Sequence, residues 1–204
     1  MSQFLGPIHE WMYGKIKYQD QMTNYICEKA KEYGWNEQLK KTLTKAYGEL
    51  TPGNLEDIID VTNIHGWLSS HVDMVESHFA QAVHSLLEED KTRLEALKQV
   101  CFEAGKEVGS QFDKTISCKE CYDIVRGHLV DGMPCDGGLR IESDEEDQII
   151  WSVSEQVHEP YWTERQESLD TFFELRDAWL RGFFDEKVVQ YTQLATNTFC
   201  VKEG

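Results

Sequence analysis

Residues 139–153, LRIESDEEDQIIWSV, decide whether the chain is all-helical or mixed. Leu139-Arg140-Ile141-Glu142 alternates apolar and charged residues, the period-2 pattern of a half-buried strand. Gln148-Ile149-Ile150-Trp151-Ser152-Val153 is rich in β-branched and aromatic residues, which fit a pleated surface. Between them Ser143 to Asp147 is short and acidic, so the spacing predicts an antiparallel hairpin.

C-terminal to the hairpin, helical period returns from about Thr163 to Phe184, with Leu169, Phe172, Phe173, Leu175, Trp179, Leu180 and Phe183 on one side. The stretch Val188 to Val201 is β-branched and broken at Ala195-Thr196-Asn197, which predicts a second hairpin. N-terminal to residue 112 the pattern is helical throughout. Pro7 suits a first helical turn, because its missing N–H would have no intrahelical partner there. A long first helix follows, ending near Gly34, and Asn36 can cap a short second helix carrying Leu39, Leu43, Ala46 and Tyr47. After the turn Thr51-Pro52-Gly53, a third helix is expected from Leu55 to Glu88. Its stripe is Ile58, Val61, Ile64, Leu68, Val72, Val75, Phe79, Ala82 or Val83, and Leu86. Asp90 caps a fourth, running to Phe112, whose Gly105 and Gly109 leave room for another backbone. The expected fold is therefore α+β: long antiparallel helices over residues 1–112, then a small antiparallel β-sheet and a C-terminal helix over 113–204. One core is expected to be shared across a single domain, 1–204.

The net charge is −17, from 20 Lys and Arg against 37 Asp and Glu. No basic cluster offsets it, so nucleic acid and anionic membranes are excluded as partners by long-range repulsion. No apolar run approaches the ~20 residues of a membrane span. The N-terminus MSQFLGPIHEWMYG has neither the basic nor the apolar region of a signal peptide. A cytoplasmic location is expected, where the six cysteines would remain thiols.

Three of those cysteines fall in residues 118–135, CKECYDIVRGHLVDGMPC. Cys118 and Cys121 form one metal knuckle, and Cys135 can be returned to it by the turn at Asp131-Gly132. His128, about 10 Å along the helix from Cys121, joins only if the chain breaks at Gly127. Thiolates favour zinc or iron over magnesium or calcium. Two other readings use the same residues. Cys118 follows Ser117, a good cap, so the helix N-terminus could depress its pKa for redox chemistry. Alternatively the cysteines are small buried apolar residues.

Histidines 65, 71, 78 and 84 lie on the third helix, but only His84 and Glu88 have ligand-like spacing. His158 is set apart, in Val157-His158-Glu159-Pro160-Tyr161-Trp162 just after a strand. Trp151, Tyr161 and Trp162 supply walls for an aromatic cofactor pocket, and Cys135 with His158 would make a nucleophile–base pair. Nucleotide-binding and serine-hydrolase motifs are absent. The leading expectation is a protein holding a metal, a metal cofactor or a small ligand at the cysteine-rich site. The second is a Cys/His-dependent hydrolase or transferase. The third is an acidic interaction module that docks to a basic protein partner.

Overall fold

The computed structural model describes residues 5–165 and 167–204. The fold is α+β, as the hairpin stretch requires. Eight α-helices and one four-stranded antiparallel sheet are present among the described residues.

Helix α1 (Pro7–Glu32) carries Pro7 in its first turn, and α2 (Leu39–Tyr47) follows as a short amphipathic helix. The expected third helix is broken in two. Helix α3 (Leu55–Ile58) is a single turn, and the long α4 (Ile64–Glu89) starts afresh. The reason is local: Asp60 Oδ1 accepts from the Thr62 N–H at 2.9 Å, and Asn63 Oδ1 accepts from the Gly66 N–H at 3.1 Å. Two Asx-type bonds in succession offer the backbone a turn and a new cap in place of a continued helix. Val61 therefore falls in the break and is 49% exposed, whereas the stripe from Ile64 through Leu86 is buried.

Helices α5 (Leu94–Ser110) and α6 (Cys118–His128) follow, then strands β1 (Leu139–Asp144) and β2 (Gln148–Val153). The C-terminal helical region is also split, into α7 (Glu159–Thr163) and α8 (Leu169–Phe184), because Ser168 caps a fresh start through the Asp170 N–H. Strands β3 (Gln190–Ala195) and β4 (Thr198–Lys202) form the second hairpin, and the sheet order is β1-β2-β4-β3. The register sets Trp151 opposite Phe199 and Ile149 opposite Val201, so one sheet face is continuous apolar surface.

Helices α5 and α8 approach to backbone contact. A Cβ on Gly105 would lie 2.0 Å from the Trp179 carbonyl oxygen, and one on Gly182 would lie 1.9 Å from that of Phe102. The small-residue spacing at Gly105 and Gly109 thus serves helix packing, with Gly182 as its counterpart across the interface. Among the described residues no helix is long and apolar enough to cross a membrane.

A main apolar cluster draws on α1, α2, α4, α5, α6, α8 and the sheet. A second joins Met12, Tyr13 and Ile16 of α1 to Leu68, Val72 and Val75 of α4, and closes over Val130 and Met133. The segment 129–138 after α6 is thereby held against α1.

Candidate functional site

Helix α1 turns a charged residue inward. Lys15 follows Trp11 by four residues and Met12 by three, so helical geometry puts it on the buried side, and the residue is 3% exposed. Its ammonium nitrogen lies 4.5 Å from the centre of the Trp11 ring. Arg126, from the last turn of α6, stands against the same indole at 5.5 Å. Among the described residues no carboxylate lies within ion-pair distance of Lys15.

Lys15 helps to wall a pocket of ≈ 290 Å³. Trp11 of α1, Tyr122 and Arg126 of α6, Asp131 and Met133 of the following loop, and Leu139 of β1 are among its other walls. The loop is fixed by its own chemistry. Asp136 Oδ2 accepts from the Met133 N–H at 2.8 Å, and Gly132 takes a φ of 71° that side chains disfavour. A Cβ on Gly138 would lie 1.9 Å from the Asp131 carbonyl oxygen, so only glycine lets the loop ends close. That closure holds Asp131, itself buried, on the pocket wall.

Behind Asp131 is a buried chain of charge. Arg176 of α8 donates two hydrogen bonds to it, Nη1 to Oδ1 at 2.7 Å and Nη2 to Oδ2 at 3.0 Å. His158 Nε2 lies 3.3 Å from Asp131 Oδ1, and its Nδ1 lies 3.3 Å from Glu76 Oε2. The imidazole also lies against Phe172, with ring centres 4.0 Å apart. Glu76 and Arg176 are buried because each sits among apolar residues at helical spacing: Val72, Val75 and Phe79 around one, Phe172, Phe173 and Leu180 around the other. Glu76 Oε1 and Arg176 Nε have no hydrogen-bond partner among the described residues.

Burial pushes the Asp131 carboxyl pKa up, but Arg176, His158 and Lys15 outweigh this and hold it below its ordinary value. Burial also lowers the His158 pKa, and Glu76 and Asp131 more than reverse that. The imidazole therefore keeps its proton to higher pH than usual. Lys15 goes the other way: burial brings its pKa down to about 8, with Arg176 and Arg126 adding to the effect and Asp131 and Glu76 opposing it. Among the described residues Arg176 and His158 both meet the Asp131 carboxylate and His158 also meets Glu76, whereas Lys15 is the cation without a carboxylate in contact.

The cysteine-rich metal site is corrected. Among the described residues no group of three or more His, Cys, Asp or Glu is arranged to hold a metal ion, so the zinc or iron reading of Cys118, Cys121, Cys135 and His128 falls. The Cys118 thiol points to the Asp147 carbonyl oxygen at 3.4 Å, and Cys121 lies 4.0 Å from that of Ile116. His128 Nδ1 bonds back to the Ile124 carbonyl oxygen at 2.8 Å, inside a helix with no break at Gly127. Cys135 is exposed beside Asp136. Ser117 does cap α6, through the Glu120 N–H. The thiol pKa of Cys118 is nevertheless raised, by burial and then by Glu203, and burial pushes Cys121 up to about 12. These two behave as small apolar residues rather than as thiolates.

The other sequence-derived candidates lie elsewhere. Both ring nitrogens of His158 face carboxylates and the side chain is 0% exposed, so neither nitrogen is turned to the Cys135 thiol. Trp151 is buried in the sheet against Tyr122 and Phe199, and Trp162 against Phe79 and Phe172. The Tyr161 hydroxyl donates to Asp73. None of these three aromatics walls the Lys15 pocket. His84 and Glu88 do approach, at 3.6 Å, but Glu88 is exposed while His84 is partly buried beside Glu167.

Lys15, Glu76, Asp131 and Arg176 escaped the sequence reading, yet a signal was present. Each of the three helical ones interrupts an apolar stripe with a charge, which buried helix faces seldom tolerate unless the charge is paired or used. Comparison with family models, with curated proteins and with solved structures finds no match to this chain.

Proposed function

We propose that this chain binds a small organic anion, a carboxylate with a short apolar body, in the pocket between α1, α6 and the 131–138 loop. The observation that carries the reading is Lys15: a buried ammonium on a pocket wall with no carboxylate in contact. Burying a charge costs several kcal/mol unless it is paired, and a bound carboxylate would provide the missing partner. Arg126 supplies a second cation, and Trp11, Met133 and Leu139 supply apolar surface for the rest of the molecule. The volume of ≈ 290 Å³ is at the small end for ligand sites, which favours a small metabolite over a nucleotide. Long-range attraction is not available to this site, because the whole chain carries −17. Recognition must therefore act within the Debye length of ~8 Å, from the pocket itself.

The test is a thermal-shift and calorimetric screen of small carboxylates against the wild-type chain and Lys15→Met. A ligand at ~100 times its Kd stabilises by ~2.7 kcal/mol, which is easily read as a rise in Tm. The expected result is stabilisation by at least one carboxylate that is lost in Lys15→Met. Equal stabilisation of both proteins, or none across the screen, would overturn the reading.

A further inference from the structure

We propose that Lys15 is an imine-forming lysine, and that the pocket takes a 2-oxo acid whose carboxylate sits on Arg126 and whose keto carbon meets the Lys15 amine. The proposal rests on the anion-binding reading of the same pocket and adds a reaction to it.

Three features of the pocket point beyond electrostatic anchoring. Arg126 is a permanent cation on the same indole as Lys15; its Nε pairs with Asp123 Oδ1 at 3.7 Å, and its guanidinium fork can also receive a ligand carboxylate. Lys15 is then a second nitrogen on the wall with a different property: it has a lone pair once its proton leaves. Its surroundings favour that loss. It is buried, no carboxylate touches it among the described residues, and the guanidiniums of Arg126 and Arg176 repel its positive form. Asp131, the nearest negative wall, is already committed to Arg176 by two hydrogen bonds and faces His158 with the same Oδ1. It partly restores the ammonium but does not capture it. An amine desolvated beside other cations is a recognised way of activating lysine as a nucleophile.

The chemistry closes without any further reagent. The neutral amine nitrogen attacks the keto carbon, and the C–N bond forms as the carbonyl π-bond gives its electrons to oxygen. The two amine hydrogens leave with that oxygen as water, and a C=N bond remains. Protonation of the imine by solvent gives an iminium, whose charge lies beside the carboxylate held by Arg126. Nothing is oxidised or reduced, and hydrolysis reverses every step.

The experiment uses the full chain with two probes, pyruvate and the bulkier 4-methyl-2-oxopentanoate, at mildly alkaline pH. Each mixture is quenched with borohydride after a short incubation, then read by intact mass and peptide mapping. A reduced imine adds the mass of the oxo acid less one oxygen atom. The expected result is a single addition at Lys15, forming ~10-fold faster than at any other lysine and slowed by the matching 2-hydroxy acid. No addition at Lys15 with either probe, or addition spread evenly over surface lysines, would overturn the imine. Calorimetry with the 2-hydroxy acids separates the two readings. If they bind wild type and not Lys15→Met while no imine forms, the imine falls and the anion site stands. If no imine forms and they bind neither protein, or both equally, both readings fall.

Discussion

Replacing Lys15 by methionine should make the protein more stable at neutral pH, an uncommon direction for a change at a buried site. Methionine keeps the unbranched stem that packs against Trp11 and removes only the ammonium. The Lys15 pKa falls from an ordinary 10.5 to about 8 on folding. At ~1.4 kcal/mol per pH unit, the buried charge costs the folded state about 3 kcal/mol. The contact with the Trp11 ring, worth about 1 kcal/mol, is lost in the same substitution. A net gain of about 2 kcal/mol remains at pH near 7, which for a chain of this size is a Tm rise of roughly 4–8 °C.

The pH dependence makes the reasoning specific. Below about 8 the lysine is protonated in both states of the wild type, and its penalty is complete. Between about 8 and 10.5 the folded state has released a proton that the unfolded chain still holds. Wild-type stability then climbs relative to Lys15→Met by up to ~1.4 kcal/mol per pH unit, and the gap closes. Urea unfolding of both proteins at several pH values between about 7 and 9.5 reads this directly. A gap that does not change with pH, or a Lys15→Met protein less stable than wild type at neutrality, would refute the account of Lys15 as an uncompensated buried charge.

Three other outcomes follow from the same geometry. Asp131→Ala leaves Arg176 and His158 without their shared carboxylate and should cost about 3–5 kcal/mol in urea unfolding, with the double change Asp131→Ala/Arg176→Met recovering a large part of it. A native-state thiol titration should show Cys135 reacting fast and the other five cysteines only on unfolding, and fast labelling of Cys118 or Cys121 would contradict their burial. Gly182→Ala drives a methyl to 1.9 Å from the Phe102 carbonyl oxygen, so α5 and α8 must separate. A loss of about 1–3 kcal/mol is expected, against a gain of about 0.5–1 kcal/mol for Gly14→Ala, an open position inside α1.

The sequence by itself determined the elements. Period-2 alternation at Leu139–Val153 and helical spacing in Pro7–Glu32 and Ile64–Glu89 are local properties of the chain, readable wherever the neighbours end up. Where the expected third helix failed, the cause was also local: the Asp60–Thr62 turn and the Asn63 cap outcompete a stripe whose Ile58 and Val61 fit a continuous helix. The cysteine cluster misled for a different reason. Closeness along the chain says nothing about direction, and α6 turns Cys118 and Cys121 inward while Cys135 lies exposed on the loop beyond. The candidate site left only a faint local trace, single charges set in apolar stripes, and nothing in the sequence said that they meet. Lys15, Glu76, Asp131, His158 and Arg176 come from five separate segments spread over 162 residues of chain, and only the packing of α1, α4 and α8 around the 131–138 loop joins them. Each is one charge in an apolar stretch when read alone. Their meaning depends on which charges face which in the absence of water, and tertiary structure alone decides that, because it alone removes the water that would otherwise screen them.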